Sequence, residues 1–237
     1  MADSIYLWDN FSRGISGLSI NRTSLVSTPA LSVSFDFSDA GDKTFTDLAE
    51  TTPAALNDPV ASVTDGTYSL QQVTLANRPN QETLGVSFDN LVPEYLALSD
   101  AAYIGQVHTG TSRVKWRGTV QDLDNDYLWG LAQTVGLTQS SVGVQILGSG
   151  LVRAFYEQSS LINSGTPISV GVEFTVEMEI TDVDYALILN GVEVGRQTYI
   201  GPRFTAQDLL HVGANSRAGA AGSPSNSTPY EFSIYRP

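Results

Sequence analysis

The chain has no cysteine, only two lysines, and no long apolar run. Without thiols there is neither a disulfide framework nor a zinc–thiolate site, and the redox compartment is left open. A chain of 237 residues needs no such staples, because it is long enough to bury a sizeable core. Basic side chains number 12 against 25 acidic ones, a formal net charge of −13. That balance excludes the clustered cations from which nucleic-acid affinity derives, and it gives the acidic coat of a soluble protein. No apolar stretch approaches the roughly 18 residues of a membrane span. The opening Met1-Ala2-Asp3-Ser4-Ile5-Tyr6-Leu7-Trp8-Asp9 has no basic leader and no apolar stretch of the secretory type, so no export by that route and no membrane association is expected. Accordingly, the glycosylation sequons at Asn10, Asn21 and Asn226 are taken as chance. Charged residues make up 16% and hydrophobic ones 41%, the composition of a folded domain. One all-β domain fits a length of about 200–250 residues.

What is present repeats with a period of two. From Val172 to Ile180 the residues Val172, Phe174, Val176, Met178 and Ile180 share one face, with Glu173, Thr175, Glu177 and Glu179 on the other. That is a strand with one dry and one wet side. Arg113–Val120 alternates likewise, with Val114, Trp116 and Val120 opposite Arg113, Lys115, Arg117 and Thr119. Asn190-Gly191 within Tyr185–Val194 predicts a type I′ hairpin turn. Further strands are expected at Leu31–Phe37, Leu84–Phe88, Tyr103–Val107, Val142–Leu147, Leu151–Tyr156 and Tyr230–Tyr235, at the spacing of a sandwich. The best helix candidate, Asp47–Leu56, is short and interrupted by Pro53. Residues 1–28 read as an arm before the body, and Ala218–Pro229 as a long loop.

Two sets of residues then resemble a known family. Phe174–Ile180, Asp184-Tyr-Ala-Leu-Ile-Leu-Asn-Gly-Val-Glu-Val194, Leu209-Leu-His-Val-Gly-Ala214 and Tyr230-Glu-Phe-Ser-Ile-Tyr235 are similar, in that order, to the closing strands of the LamG-like, concanavalin-A-like jelly rolls. Where the family has a glycine near its end strand, this chain has Glu231 and Ser233 around Phe232. Leu31–Asp39, Val60–Asp65, Gln72–Pro79, Val86–Asn90 and Tyr95-Leu96 resemble the opening of LamG-like domains of tailed-phage virion proteins and some bacterial surface proteins. The resemblance covers about residues 30–237. It implies an all-β, two-sheet antiparallel jelly-roll sandwich over 29–237, preceded by an extended arm at 1–28.

Some jelly rolls of this superfamily are glycosidases, with acid and nucleophile as E-x-D-x-E on one strand. Here Glu173, Glu177 and Glu179 are the only candidates, and Met178 stands where the central aspartate would be. Same-face neighbours lie roughly 7 Å apart, against about 5–5.5 Å for retaining chemistry, so a solvated strand face is expected. Asp122-Leu-Asp-Asn-Asp126 starts like a calcium loop, but Tyr127 replaces the required glycine and no twelfth-position glutamate follows. Many LamG domains hold calcium at the rim, which leaves Asp122, Asp124 and Asp126 as weak metal candidates beside the expectation of a plain turn. His108 and His211 are the only histidines and have no G-x-S-x-G elbow to join. No P-loop or dinucleotide fingerprint is present. Trp116 is expected in the core, and so is Trp129, for which an exposed stacking platform for sugar is the alternative. Trp8 and Phe11 are candidate anchors on a neighbouring subunit, since interface cores favour aromatics.

These readings predict a chain that is not an enzyme, needs no cofactor, and acts as a structural protein of a tailed-phage virion, either a capsid decoration or a tail-associated protein, made in the host cytoplasm. Its expected partners are other virion proteins and copies of itself. The alternative is a carbohydrate-binding adhesin that holds a host surface glycan in the loops of the same fold.

Overall fold

The computed structural model describes residues 32–38, 43–132, 142–156, 160–199, 207–217 and 220–237. The arm, with Trp8 and Phe11, lies outside them. Among the described residues two large antiparallel sheets face each other. One runs, in spatial order, Ser32–Asp36, Ser227–Tyr235, Ser112–Val120, Phe174–Ile180, Asp184–Leu189 and Val192–Thr198. The other runs Ser160–Asn163, Val152–Tyr156, Val142–Ile146, Tyr127–Ala132, Leu209–Val212, Leu96–Leu98, Ser69–Gln71, Ser62–Thr64 and Thr44–Phe45. Neighbours in sequence are often distant in the sheet, as the jelly-roll connection requires: Ser32–Asp36 pairs with the last strand, Ser227–Tyr235. No helix among the described residues is long and apolar enough to cross a membrane.

Alternation places the core. Phe174, Val176, Met178 and Ile180 are buried, and so are Val114, Trp116 and Val120 on the adjoining strand. Trp116 packs on Phe174 with ring centroids 5.0 Å apart. Trp129 of the second sheet meets Phe232 of the first edge-on at 6.3 Å, so aromatic contacts tie the two layers together. Both tryptophans are fully buried, as expected. Asn190 and Gly191 have φ of 50° and 79°, the left-handed pair that a type I′ turn demands.

Three local expectations give way, at Tyr103–Val107, Val172 and the loop before the last strand, while Asp47–Leu56 offers no more than the turns expected of it. Tyr103–Val107 is helical: Ala101–Ile104 forms one α-turn and Gly105–His108 a 3-10 turn. The carboxylate of Asp100 accepts the Tyr103 amide at 2.9 Å, a helix cap, while Tyr103, Ile104 and Val107 reach the core at helical spacing. Asp47–Leu56 forms turns, in which the Asp47 carboxylate takes the Thr52 amide at 2.7 Å. Val172 lies before its strand and is 57% exposed. The stretch expected as a loop before the last strand contains Ala220–Gly222, paired back on Asn215–Arg217, and the last strand starts at Ser227.

Candidate functional site

The glutamate row and the basic row lie side by side, with Glu177 opposite Lys115 and Glu179 opposite Arg113. The side chains choose their partners less symmetrically. Arg113 donates from Nε at 3.0 Å and Nη2 at 2.8 Å to Glu179. Arg196, from the edge strand, reaches the other oxygen of Glu179 at 2.7 Å. Lys115 turns away from Glu177 to Glu231, at 3.0 Å, and Arg117 pairs with Glu173 at 3.0 Å and Glu231 at 3.4 Å. Glu231 thus serves two cations. Glu177 accepts the Tyr235 hydroxyl at 2.7 Å. Burial alone would raise the Glu179 carboxyl, but hydrogen bonds from Arg196 and Arg113 hold it below its ordinary value. On this face the acidic and basic side chains form an ion-pair ladder.

The histidines are core residues on separate elements. His108 hydrogen-bonds the Gln207 side chain, with the Tyr156 hydroxyl 3.4 Å from its other ring nitrogen. His211 stands on its strand with its ring 4.8 Å from that of Tyr95. Burial pushes His211 down to about 4, the Asn215 backbone opposing, so it is neutral at pH 7.

Of the three metal candidates, Asp122 and Asp126 act as a clamp. One oxygen of Asp122 accepts from Asn90 at 3.2 Å and from Asn226 at 2.9 Å, and Asp126 accepts the Asn226 amide at 2.8 Å. Asp124 is exposed. No group of three or more His, Asp or Glu side chains among the described residues is placed to hold a metal ion. Burial, with the Asp122 and Asp124 charges adding and the Asn226 amide opposing, pushes Asp126 up to about 6.

Beside this clamp lies an open groove of about 440 Å³. Its origin is a β-bulge: Pro229 faces Gly118 and Glu231 faces Arg117, so Tyr230 is the extra residue. Two glycines permit it. A Cβ on Gly85 would strike the Pro229 carbonyl, and one on Gly118 would strike the Thr228 carbonyl. The bulge leaves the Tyr230 ring half-buried, with the Arg117 guanidinium 5.7 Å from its centroid. Around it stand Thr119, Gln121, Thr228 and Ser87, with Glu82, Thr83 and Leu84 of a tight turn forming the far wall. Gln121 donates to the Thr228 hydroxyl at 3.0 Å, which orients both. An aromatic face beside hydroxyl, amide and carboxylate groups suits a ligand that is apolar on one side and rich in hydroxyls on the other. A larger cavity of about 580 Å³ lies by Asn190, but its walls include Pro167, Ile168, Val172, Val192 and Val194, and its aromatic residue, Phe174, is buried against Trp116.

None of the candidate site residues chosen from the sequence lines the Tyr230 groove; Leu84, Ser87, Thr119 and Tyr230 were read only as strand positions and Thr228 only as part of a loop. The local signal was Pro229, since proline inside a paired strand marks an edge or a bulge.

No family model matches the chain, and no curated protein does. Solved structures do. Trypanosoma rangeli sialidase superposes with a TM-score of 0.60 at 13% identity, over 86% of this chain and 30% of that one. A mutant of the same sialidase displaying trans-sialidase activity gives 0.61 at 14% identity over the same shares. The Ruminococcus gnavus IT-sialidase CBM40 bound to α2,3-sialyllactose gives 0.48 at 17%, over 58% of this chain and 80% of that one. The chain therefore spans less than a third of the length of the Trypanosoma sialidases it matches. At such identities the likeness is one of fold, the jelly-roll sandwich. The phage-type and LamG-specific parts of the resemblance have no counterpart among these matches. The expectation that the chain is not an enzyme is overturned as it stood: solved structures on which 86% of it superposes are sialidases, of which it corresponds to 30%. Sequence motifs missed this because the shared feature is an architecture and not a catalytic signature.

Proposed function

We propose that this chain is a carbohydrate-binding jelly-roll module of LamG-like type, holding its glycan in the groove at Tyr230. The observation that carries the reading is the bulge at Pro229-Tyr230, which turns an aromatic ring onto a groove lined, besides Leu84, by hydroxyl, amide and carboxylate groups. A pyranose has a face of C–H bonds that packs on a ring and a rim of hydroxyls that hydrogen-bond, so both halves of the lining find a use. The CBM40 neighbour is described as bound to a sialylated glycan, and the Trypanosoma neighbours act on glycans by name; a glycan-binding role for a chain of the same architecture agrees with them.

The virion role is the second reading, and it draws on the phage-type likeness of residues 31–96. An open groove with a half-exposed aromatic separates the two readings and favours glycan binding. The two are compatible where a virion protein holds a host surface glycan. The test is an oligosaccharide array probed with the intact chain, Tyr230→Phe and Tyr230→Ala. Binding to at least one oligosaccharide, kept by phenylalanine and weakened about tenfold or more by alanine, supports the groove. Binding that is indifferent to Tyr230→Ala moves the site elsewhere and refutes it.

A further inference from the structure

Resting on that glycan reading, we infer that the groove selects an uncharged sugar and disfavours one carrying a carboxylate. The charge of the lining decides it. Glu82 is the one charged residue among the groove's described lining residues, and no lysine or arginine joins it there. Among the described residues the Glu82 carboxylate makes no ion pair; the four basic side chains that do make ion pairs, Arg113, Lys115, Arg117 and Arg196, reach other acids. Arg117, which lies over the Tyr230 ring, is engaged by Glu173 and Glu231 together. A carboxylate in this position has two oxygens, each able to accept from a sugar hydroxyl, and a pair of adjacent hydroxyls meets both.

An acidic sugar would bring a second carboxylate beside Glu82 with no cation among the groove's described lining residues to separate them. Like charges set against one another in a partly dehydrated groove are the usual means by which a site rejects the wrong partner. The surrounding field acts in the same direction, because the chain carries a net charge of −13. Neutral ligands are indifferent to that field, so the acidity that discourages anionic partners costs such a groove nothing. Glu82 lies in a tight turn, its amide donating to the Gly85 carbonyl at 2.8 Å, so the carboxylate is carried on a fixed backbone.

The experiment compares matched pairs of probes by titration calorimetry: lactose against 3′-sialyllactose, and cellotetraose against tetragalacturonic acid. The expected result is that any bound pair favours its neutral member by about tenfold or more at low salt. Glu82→Gln should narrow that gap, and Glu82→Lys should reverse it, with melting curves showing that each variant is folded. Preference of the unaltered chain for an acidic member, lost on Tyr230→Ala, overturns the inference and leaves the glycan reading standing. A gap unchanged in Glu82→Gln also overturns it, because the selection would then arise elsewhere. Failure of all four probes, followed by failure of the array, overturns the glycan reading itself.

Discussion

Glu179 offers the sharpest test of what the charged face contributes. Its side chain is 13% exposed and lies between Arg113 and Arg196, which are 31% and 35% exposed. Three hydrogen bonds of 2.7–3.0 Å converge on its two oxygens. An exposed cross-strand ion pair contributes about 0.2–1 kcal/mol, and charge-assisted forked contacts lie at the upper end. Two such pairs on one half-screened carboxylate give about 1–2 kcal/mol for Glu179→Gln, discounted for the exposure of the arginines. A double-mutant cycle with Arg113→Gln should return a coupling of about 0.5–1.5 kcal/mol from urea unfolding in 50 mM salt. In 1 M salt the Debye length falls to about 3 Å, and the coupling should shrink by about half or more. The pH dependence has a definite sign. Because the folded carboxyl titrates below its ordinary value, the contribution is whole above the unfolded value near 4.3 and fades as pH falls through the folded one. A coupling below about 0.3 kcal/mol at low salt would show the ladder to be decoration.

Gly85→Ala should cost about 1–3 kcal/mol in urea unfolding, because the new methyl meets the Pro229 backbone and not a flexible side chain; a change within the error of the unfolding fit would mean that the bulge can shift freely. Asp126→Asn should stabilise the fold by about 1–2 kcal/mol at pH 8 and by much less at pH 4. The folded carboxyl keeps its proton to about 6, so the parent chain loses stability as pH rises from about 4 through 6, and the amide does not. The His211 ring should titrate near 4 by NMR, and stability should fall as pH drops from about 6.5 towards 4; a midpoint above 6 would contradict its burial.

How far the fold could be read from sequence follows from what each segment faces. Phe174–Ile180 and Ser112–Val120 are dry on one side and wet on the other, so the period of two is written into them. That they pair was implied by the LamG-like resemblance and not by the two segments themselves. The exchange of partners was not legible, because Lys115 chooses Glu231, 116 residues away on the strand to its other side. Tyr103–Val107 misled because its apolar residues satisfy helix and strand spacing about equally over five positions. The capping carboxylate of Asp100 was the deciding local cue. The groove was the least legible feature. Tyr230 alternates correctly as a strand residue, and its displacement depends on two glycines at 85 and 118, which approach it only after folding.

That dependence bears on how the groove would bind. Its residues come from chain segments near 82–87, 119–121 and 228–230, which meet at one end of the sandwich. Each segment is fastened close by. The Phe88 amide donates to the Ser227 carbonyl at 2.8 Å, the Gln121 amide to the Asn226 carbonyl at 2.7 Å, and Asn90 and Asn226 both donate to Asp122. A ligand entering such a groove need not order the loops first, and the rotamer entropy it must remove is confined to a few side chains. Gln121 is already held by Thr228, and Tyr230 is held from behind by the bulge. Weak individual contacts to sugar hydroxyls can then add up without being offset by ordering, which a shallow site on an acidic surface requires if it is to hold a neutral ligand at all.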